Sequence, residues 1–406
     1  MEFINSSVQE ESICNNGSIS KRDNSPQIDY MNKINDKPWG KEYLAFQNKY
    51  IGIWILHVNK DQETSLHCHF KKDTILIPLH GCFKINLYND KFKILHLFDS
   101  LFVPRTGFHG IHSYVDDGIL MEIEIYTENI EYTDKNDLLR IKDIYNRDKN
   151  SYESSVTERD PQDGETMSFM SPNKYNIYST EIQILELSKN DEQSLSHYNK
   201  FVLLEGCVYS NETRCTPGSF IELNKPYSLL SNSIKVLCIH NIHYGYINKV
   251  IYSKNHLRDY KQSFNLNKVG LTSGCFDILH EGHVKTLKLC KKNCDSLFVC
   301  LSSDEQIKRL KGNMRPINNL CDRVIMLIYF DFIDNIILYD EINDNLESEL
   351  DNIMQMIDPY IWFKGSDYNK EEVLKKHPGL KSIMLFDLVK GKSTTTIVNK
   401  ITTLSV

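Results

Sequence analysis

Two histidines three places apart, His280 and His283, stand in the string GCFDILHEGH, Gly274 to His283. Upstream, Val269 to Ser273 reads as a short buried strand; downstream, Val284, Leu287 and Cys290 recur at helical spacing. The string is therefore a strand-to-helix turn. A helix N-terminus offers backbone N–H groups and the positive end of the macrodipole, and Gly282 lets the chain approach an anion closely. A phosphate belongs there, with His280 and His283 as two directional donors beside it. Taken alone, His-x-Gly-His describes surface or capping residues equally well, so the reading depends on what accompanies it.

Three further segments accompany it, in order: SSDEQIKRLKGNMRPINNLCDR from Ser302 to Arg323, FKGSDY from Phe363 to Tyr368, and KGKSTTTIVNKI from Lys390 to Ile401. Together the four strings resemble the cytidylyltransferase-like nucleotidyltransferases. They look most like the adenylyltransferase domain of bacterial ADP-heptose synthase, and less like glycerol-3-phosphate cytidylyltransferase. The resemblance covers roughly the last third of the chain. It implies attack by an acceptor phosphate oxygen on the α-phosphorus of a nucleoside triphosphate, with pyrophosphate leaving, a displacement that needs positioning and charge neutralisation more than a protein nucleophile. His280, His283 and Lys311 are then the expected catalytic residues. Gly274, Phe276, Asp277, Gly282, Arg315, Lys364, Gly365, Asp367, Ser393, Thr394 and Thr395 are the expected nucleotide-binding set. Lys308, Arg309, Lys311, Arg315 and Arg323 supply the local positive charge, of which Lys308 and Arg309 read equally well as a solvated helix face. Asp277 is left between two roles, holding Mg²⁺ and holding the loop. Two departures stand out. Ser366 replaces a glycine in the Lys-Gly-Gly-Asp-Tyr pattern, and Lys390 or Lys392 stands where many cytidylyltransferases carry an arginine before Ser-Thr-Thr.

Positioning these groups takes an alternation of strands and helices, the pattern of a parallel sheet with helices on both faces. Strands are expected at Val269 to Ser273, Ser296 to Ser302, Asn335 to Leu338, Tyr360 to Phe363 and Ser382 to Leu385. Helices are expected at Asp304 to Leu310, Asn319 to Phe330, Leu346 to Met356 and Lys370 to His377, with a last one from Thr394. This α/β Rossmann-like domain is assigned to residues 267–406.

A second constellation lies near the other end: His67-Cys68-His69, Asp73, and His109 five residues after Pro104. His67 and His69, two apart on a strand, point to one face. Around them run short apolar stretches, YIGIWILHV, TILIPLHG, FKINLYND and GILMEIEIY, at the spacing of a β-sandwich or barrel. The motifs resemble those of the cupin family, and KPWGKE resembles the opening of cupin-type phosphomannose isomerases. By that resemblance His67, His69, Asp73 and His109 converge on one divalent transition metal, neutral imidazoles and an oxygen suiting zinc, iron, manganese or nickel. The barrel is placed at 29–130, after a disordered tail at 1–28 rich in Asn, Ser and Glu. A linker at 131–170 leads to a second strand-rich segment, 171–250. There FVLLEGCVY is similar to ILIPLHGCFKINL and TPGSFIELNKPYSLLSN to FDSLFVPRTGFHGIHSY, an internal repeat. It reads as a degenerate cupin-like barrel, with His197 near one metal position and Tyr227 near that of the later histidine. A further linker, 251–266, leads to the nucleotidyltransferase domain.

Composition sets the outer limits. With 406 residues, two or three domains are expected. A formal charge of −7 argues against a general nucleic-acid binder. The absence of a long apolar run or a signal-like start leads to the expectation of a cytoplasmic protein without a membrane partner. Eleven cysteines with no C-x-x-C pair read as buried thiols in a reducing compartment. The favoured function is transfer from ATP, with Mg²⁺, to a heptose-1-phosphate-like sugar 1-phosphate by a homodimer. The alternatives are a CTP-dependent enzyme acting on a polyol or amino-alcohol phosphate, a bifunctional enzyme whose cupin is a sugar or sugar-phosphate isomerase or epimerase, and barrels that only bind sugar or dimerise.

Overall fold

The computed structural model describes residues 2–16, 29–126, 128, 130–135, 137–147, 157–188, 198, 200–210, 212–221, 227–241, 246–263, 268–339, 349–366, 369–376, 380–386, 394, 397–398 and 400. They fall into two units, Met1–Tyr244 and Gly245–Val406.

The first unit opens with a barrel made of two facing sheets. One has eight strands, with Gly118–Tyr126 near its middle, antiparallel to both Ile51–Val58 and Lys72–His80. The other has five and contains Leu66–Cys68, His109–Ser113 and Phe83–Leu87. Alternation along Gly118–Tyr126 sends Leu120, Glu122 and Glu124 into the barrel. Leu120 joins Trp54, Leu56 and Leu76 from its own sheet and Phe83, Ile85 and Ile111 from the other in one core. The opposite face is apolar too, which explains why GILMEIEIY shows no clean polar alternation. The second barrel covers that face, with Gly218 seated against Ile125 and Ile51.

The second barrel repeats the first. Its four-stranded sheet runs Lys174–Ile177, Thr180–Ser188, Ser233–Asn241, Lys200–Glu205, antiparallel throughout. This is the order of four neighbouring strands of the eight-stranded sheet: Gly40–Gln47, Ile51–Val58, Gly118–Tyr126, Lys72–His80. Gly81 and Gly206 close the matching strands at φ 90° each, a conformation that favours glycine. The expected repeat is thus present in the topology.

Three boundaries differ from the sequence reading. Residues 2–16, read as disordered, contribute the strand Glu2–Phe3, paired with Leu101–Val103, and the helix Val8–Asn16. Ser7 and Glu10 cap that helix reciprocally: the Ser7 N–H donates to Glu10 Oε2 at 2.7 Å and the Glu10 N–H to Ser7 Oγ at 3.3 Å. Cys14 then buries against Cys68, Phe108 and Leu139. The linker assigned to 131–170 supplies two strands to the first barrel, Leu139–Lys142 beside Leu66–Cys68 and Thr157–Arg159 beside Ile34–Lys37. Its charged residues had hidden them. The linker at 251–266 is part of the second unit: Val250–Ile251 forms an edge strand and Lys254–Ser263 a helix.

In the second unit, six strands are all parallel, in the order Val250–Ile251, Asn335–Tyr339, Ser296–Ser302, Val269–Gly274, Ile361–Gly365, Ile383–Phe386. The expected strands are present to within a residue or two. Strand order reverses beside Val269–Gly274, whose successor in sequence lies on one side and Ile361–Gly365 on the other. Such a sheet binds ligands at the carboxyl ends of the strands flanking that reversal. No helix among the described residues is long and apolar enough to cross a membrane.

Candidate functional site

His280 and His283 meet at the reversal point of the parallel sheet, where folds of this kind bind ligands. Val269–Gly274 ends at the reversal point and helix Glu281–Lys292 begins seven residues later. His280 is the N-cap in extended geometry, and its side chain makes no capping bond. Its ring stacks instead on His283, with centroids 3.9 Å apart and planes 20° from parallel. Phe276, held at φ 46°, packs against His283 with ring centroids 5.3 Å apart. A methyl group at Gly274 would come within 2.9 Å of the Phe276 ring, so the absence of a side chain there lets the turn close. Burial, then His280 and Lys311 nearby, lowers His283 to about 4. Its Nδ1 is buried without a hydrogen-bond partner.

Asp277 is engaged with the loop. Its carboxylate accepts from the Ile317 N–H at 2.9 Å, the Asn318 N–H at 2.8 Å and Arg315 Nε at 2.5 Å. Burial would raise this carboxyl, but these donors outweigh it and hold it below the usual range. Arg315 keeps a buried Nη2 with no hydrogen bond. Arg323 is a clamp: it is buried and donates to the Asn318 and Cys275 carbonyls and to Asp304. Lys308 pairs with Glu305 on an exposed helix face, the solvated arrangement weighed from sequence. Lys364 donates to Ser273 Oγ at 3.2 Å and so joins the two strands that flank the reversal. Gly282 is buried in the helix's first turn and Gly365 ends its strand. Thr394 is helical. Asp367, Ser393 and Thr395, with Lys390 and Lys392, lie outside the described residues.

The barrel holds the other candidate centre. His67 and His69 come from Leu66–Cys68 and its exit, and His109 starts the neighbouring strand, directly opposite His67. One ligand atom from each lies within 4.8 Å of the others. Each Nδ1 is engaged by a backbone carbonyl: His67 by Ser65 at 2.9 Å, His69 by Asp137 at 2.5 Å, His109 by Gly107 at 3.3 Å. That fixes Nδ1 as the protonated nitrogen and leaves Nε2 as a lone pair. The Nε2 atoms of His69 and His109 are buried without partners. Burial, with the other histidines and Lys72 nearby, puts His69 well below the ordinary value, and burial lowers His109 to about 4. Lowered by burial and close together, with the Nε2 atoms of His69 and His109 making no hydrogen bond, these donors fit a divalent metal.

Asp73 does not join them. It is paired with Ile125, on the outer face of the sheet, while its neighbours Lys72 and Thr74 are buried. Its carboxylate accepts from the Arg105 N–H at 2.8 Å. The acid near the trio is Glu122, whose Oε1 lies 3.9 Å from His69 Nε2. Burial raises Glu122 to about 7 against the pull of Lys135. Tyr227 is also displaced from its expected place. It pairs with Ser210 and Leu229 with Val208, so with Gly206 matched to Gly81 it stands level with Ile111, two residues from the His109 position. His197 lies outside the described residues.

The cytidylyltransferase-like family model matches residues 271–384. The second unit contains a cytidylyltransferase-like domain. Curated relatives of this region are called Bifunctional protein HldE: that of Campylobacter fetus is 42% identical over 130 residues, 32% of this chain and 27% of its own. That of Wolinella succinogenes is 34% identical over 165 residues, 40% and 33% of the two chains. The chain thus spans about a third or less of the length of these relatives. Among solved structures, a lipopolysaccharide core biosynthesis protein from Thermoplasma volcanium is similar at 26% identity over 30% of this chain and 96% of that one, with a TM-score of 0.25. An RmlC-like cupin from Shewanella frigidimarina is similar at 23% identity over 25% and 96%, with a TM-score of 0.22. The cytidylyltransferase-like domain includes the whole turn from Gly274 to His283 and the clamp that Asp277 makes with Arg315.

Sequence reasoning missed Glu122. The signal was available, because an acid in an almost wholly apolar strand must find a buried partner. It also missed Lys135 and Arg140, which lay inside the supposed linker.

Proposed function

We propose that the cytidylyltransferase-like domain transfers a nucleoside monophosphate from a nucleoside triphosphate, ATP in the favoured case, to a heptose-1-phosphate-like sugar 1-phosphate. The observation that carries this is the stacked His280–His283 pair at the start of Glu281–Lys292, at the sheet's reversal point and near Lys311. An acceptor phosphate oxygen forms a bond to the α-phosphorus, the bond from that phosphorus to the β-bridging oxygen breaks, and pyrophosphate departs. Negative charge on the transferring group is met by the helix N-terminus, the two imidazoles, Lys311 and the outer edge of the Arg315 guanidinium. Asp277 serves by orientation, holding Arg315 and the Ile317–Asn318 backbone where the phosphates would pass. Mg²⁺ brought in with the triphosphate would supply further charge neutralisation.

The relatives' similarity across this domain and the geometry of the turn both support the reading. Pyrophosphate release from the full chain, with Mg²⁺, each ribonucleoside triphosphate, and sugar 1-phosphates beside polyol phosphates, tests it. Turnover with ATP and a heptose 1-phosphate, lost in His283→Ala, is expected. Turnover with CTP and a polyol phosphate alone would replace it by the alternative. The imidazole trio supports a second reading, in which the first barrel is a metal-dependent sugar or sugar-phosphate isomerase or epimerase. His67, His69 and His109 would hold the ion, which would polarise a substrate oxygen.

A further inference from the structure

Cys68 stands between His67 and His69, and strand alternation turns it to the opposite face of the sheet. There it pairs in register with Leu139 and packs with Cys14 and Phe108 in a small apolar cluster. Cys14 belongs to the helix Val8–Asn16, 54 residues away in sequence. Both side chains are buried thiols, and their sulfurs lie 3.4 Å apart, a gap that roughly 1.4 Å of approach would close to a disulfide. Other contacts keep the two in register. Glu2–Phe3 pairs with Leu101–Val103, and Glu10 Oε1 accepts from the Phe108 N–H at 3.1 Å. A helix of nine residues depends on such packing for its stability, so it lifts from the barrel by local opening more readily than the strands beneath it separate.

We propose that Cys14 and Cys68 form a reversible oxidation site, at which hydrogen peroxide joins them in a disulfide that latches residues 2–16 onto the sheet carrying His67 and His69. The sulfur of one thiol attacks a peroxide oxygen, the O–O bond breaks, and the departing hydroxide takes the thiol proton and leaves as water, giving a sulfenic acid. The sulfur of the second thiol attacks the sulfenic sulfur, the S–O bond breaks, and a second water leaves with the second proton. The two sulfurs lose two electrons in all, and the peroxide is reduced to two waters. Burial orders these steps: the helix lifts to admit the peroxide and re-seats to bring the second thiol onto the sulfenic acid. The new bond closes a loop through residues 15–67 and suppresses further lifting. A thiol reductant reverses it. The proposal rests on neither the nucleotide-transfer nor the metal reading.

The test treats the full chain with hydrogen peroxide, as wild type, Cys14→Ser and Cys68→Ala, then alkylates and digests it without reductant and weighs the peptides; thermal unfolding shows which variants fold. Wild type should give a linked peptide pair containing Cys14 and Cys68, lost on adding dithiothreitol and absent from both variants. Amide hydrogen exchange then reads the latch. Exchange across Val8–Asn16 should slow about tenfold or more in oxidised wild type, return to its starting rate after dithiothreitol, and stay unchanged by peroxide in whichever variants fold. The dithiothreitol-treated wild type is the control that needs no variant. No link between Cys14 and Cys68, links spread evenly over the other cysteines, or a Cys14–Cys68 link that leaves exchange in the helix unchanged would each overturn the proposal.

Discussion

Among the described residues, two histidine clusters hold the same side chain in opposite ways. In the barrel, three imidazoles are held from behind by carbonyls at Nδ1, which leaves Nε2 as the lone pair in each, and one ring nitrogen from each lies within 4.8 Å of the others. In the cytidylyltransferase-like domain, two imidazoles stack face to face at a helix N-terminus, with Lys311 near them. Convergent lone pairs suit a cation; stacked rings at the positive end of a helix suit an anion. The backbone behind each ring decides which, because carbonyl acceptors fix the tautomer in one cluster and none is placed to do so at His283 Nδ1. Histidine content alone therefore says little about the ligand.

The largest expected effect separates the clusters outright. His283→Ala should reduce nucleotidyl transfer roughly 10²- to 10³-fold, the range for removing one preorganised donor to a developing charge, and leave metal bound by the full chain unchanged. His69→Ala should do the reverse. It should weaken manganese or zinc binding by more than the roughly 10- to 100-fold typical of outer-shell changes, measured by titration and elemental analysis, while pyrophosphate release persists. If His69→Ala also stops transfer while the protein stays folded, the two sites are coupled.

A pH titration sharpens the contrast. His283 lies near 4 in the folded protein against an ordinary 6.5, so the folded state binds fewer protons between those values. Its contribution to stability is present above about 6.5 and lost as pH falls toward 4. A bound triphosphate favours the imidazolium, so nucleotide should raise this pKa, and nucleotide affinity should increase as pH falls below 7. Proton NMR of the ring with and without ATP reads both, and a pKa that stays put on binding would show that His283 does not face the phosphates.

How much of this was legible depended on whether a residue's role was local. The His280–His283 turn was legible because strand, turn and helix are contiguous, and so was the parallel sheet, whose apolar runs alternate with helical spacing. The clamp of Asp277 on Ile317 and Asn318 was not, since its partners lie about forty residues away and only the folded loops bring them together. Residues 2–16 were misread through composition, although Ser7-x-x-Glu10 is a local helix-start signal that composition overrode. Asp73 was misplaced by its resemblance to the motif position where cupins carry an acid. Strand parity puts it on the outer face, and Glu122, on a strand about fifty residues later, lies beside His69 instead.

That exchange supplies the smallest effects and the finest test of the barrel site. Glu122→Gln keeps the shape and hydrogen-bonding capacity but removes the charge 3.9 Å from His69, and should weaken metal binding by about tenfold. Asp73→Asn should leave it unchanged. Its partner Arg105 is 45% exposed at the side chain, and a pair of that kind contributes at most about 1 kcal/mol to stability. A visible spectrum of the cobalt-loaded protein reads the difference directly, because exchanging a carboxylate for an amide beside the ion shifts the ligand field and losing a charge on the outer face does not. Should Asp73→Asn change the spectrum and Glu122→Gln leave it alone, the barrel would have to rearrange on binding metal, with Lys72–His80 turning its acid inward. The strand's parity opposes that, because the same turn would carry Lys72 away from Glu124, its fully buried partner.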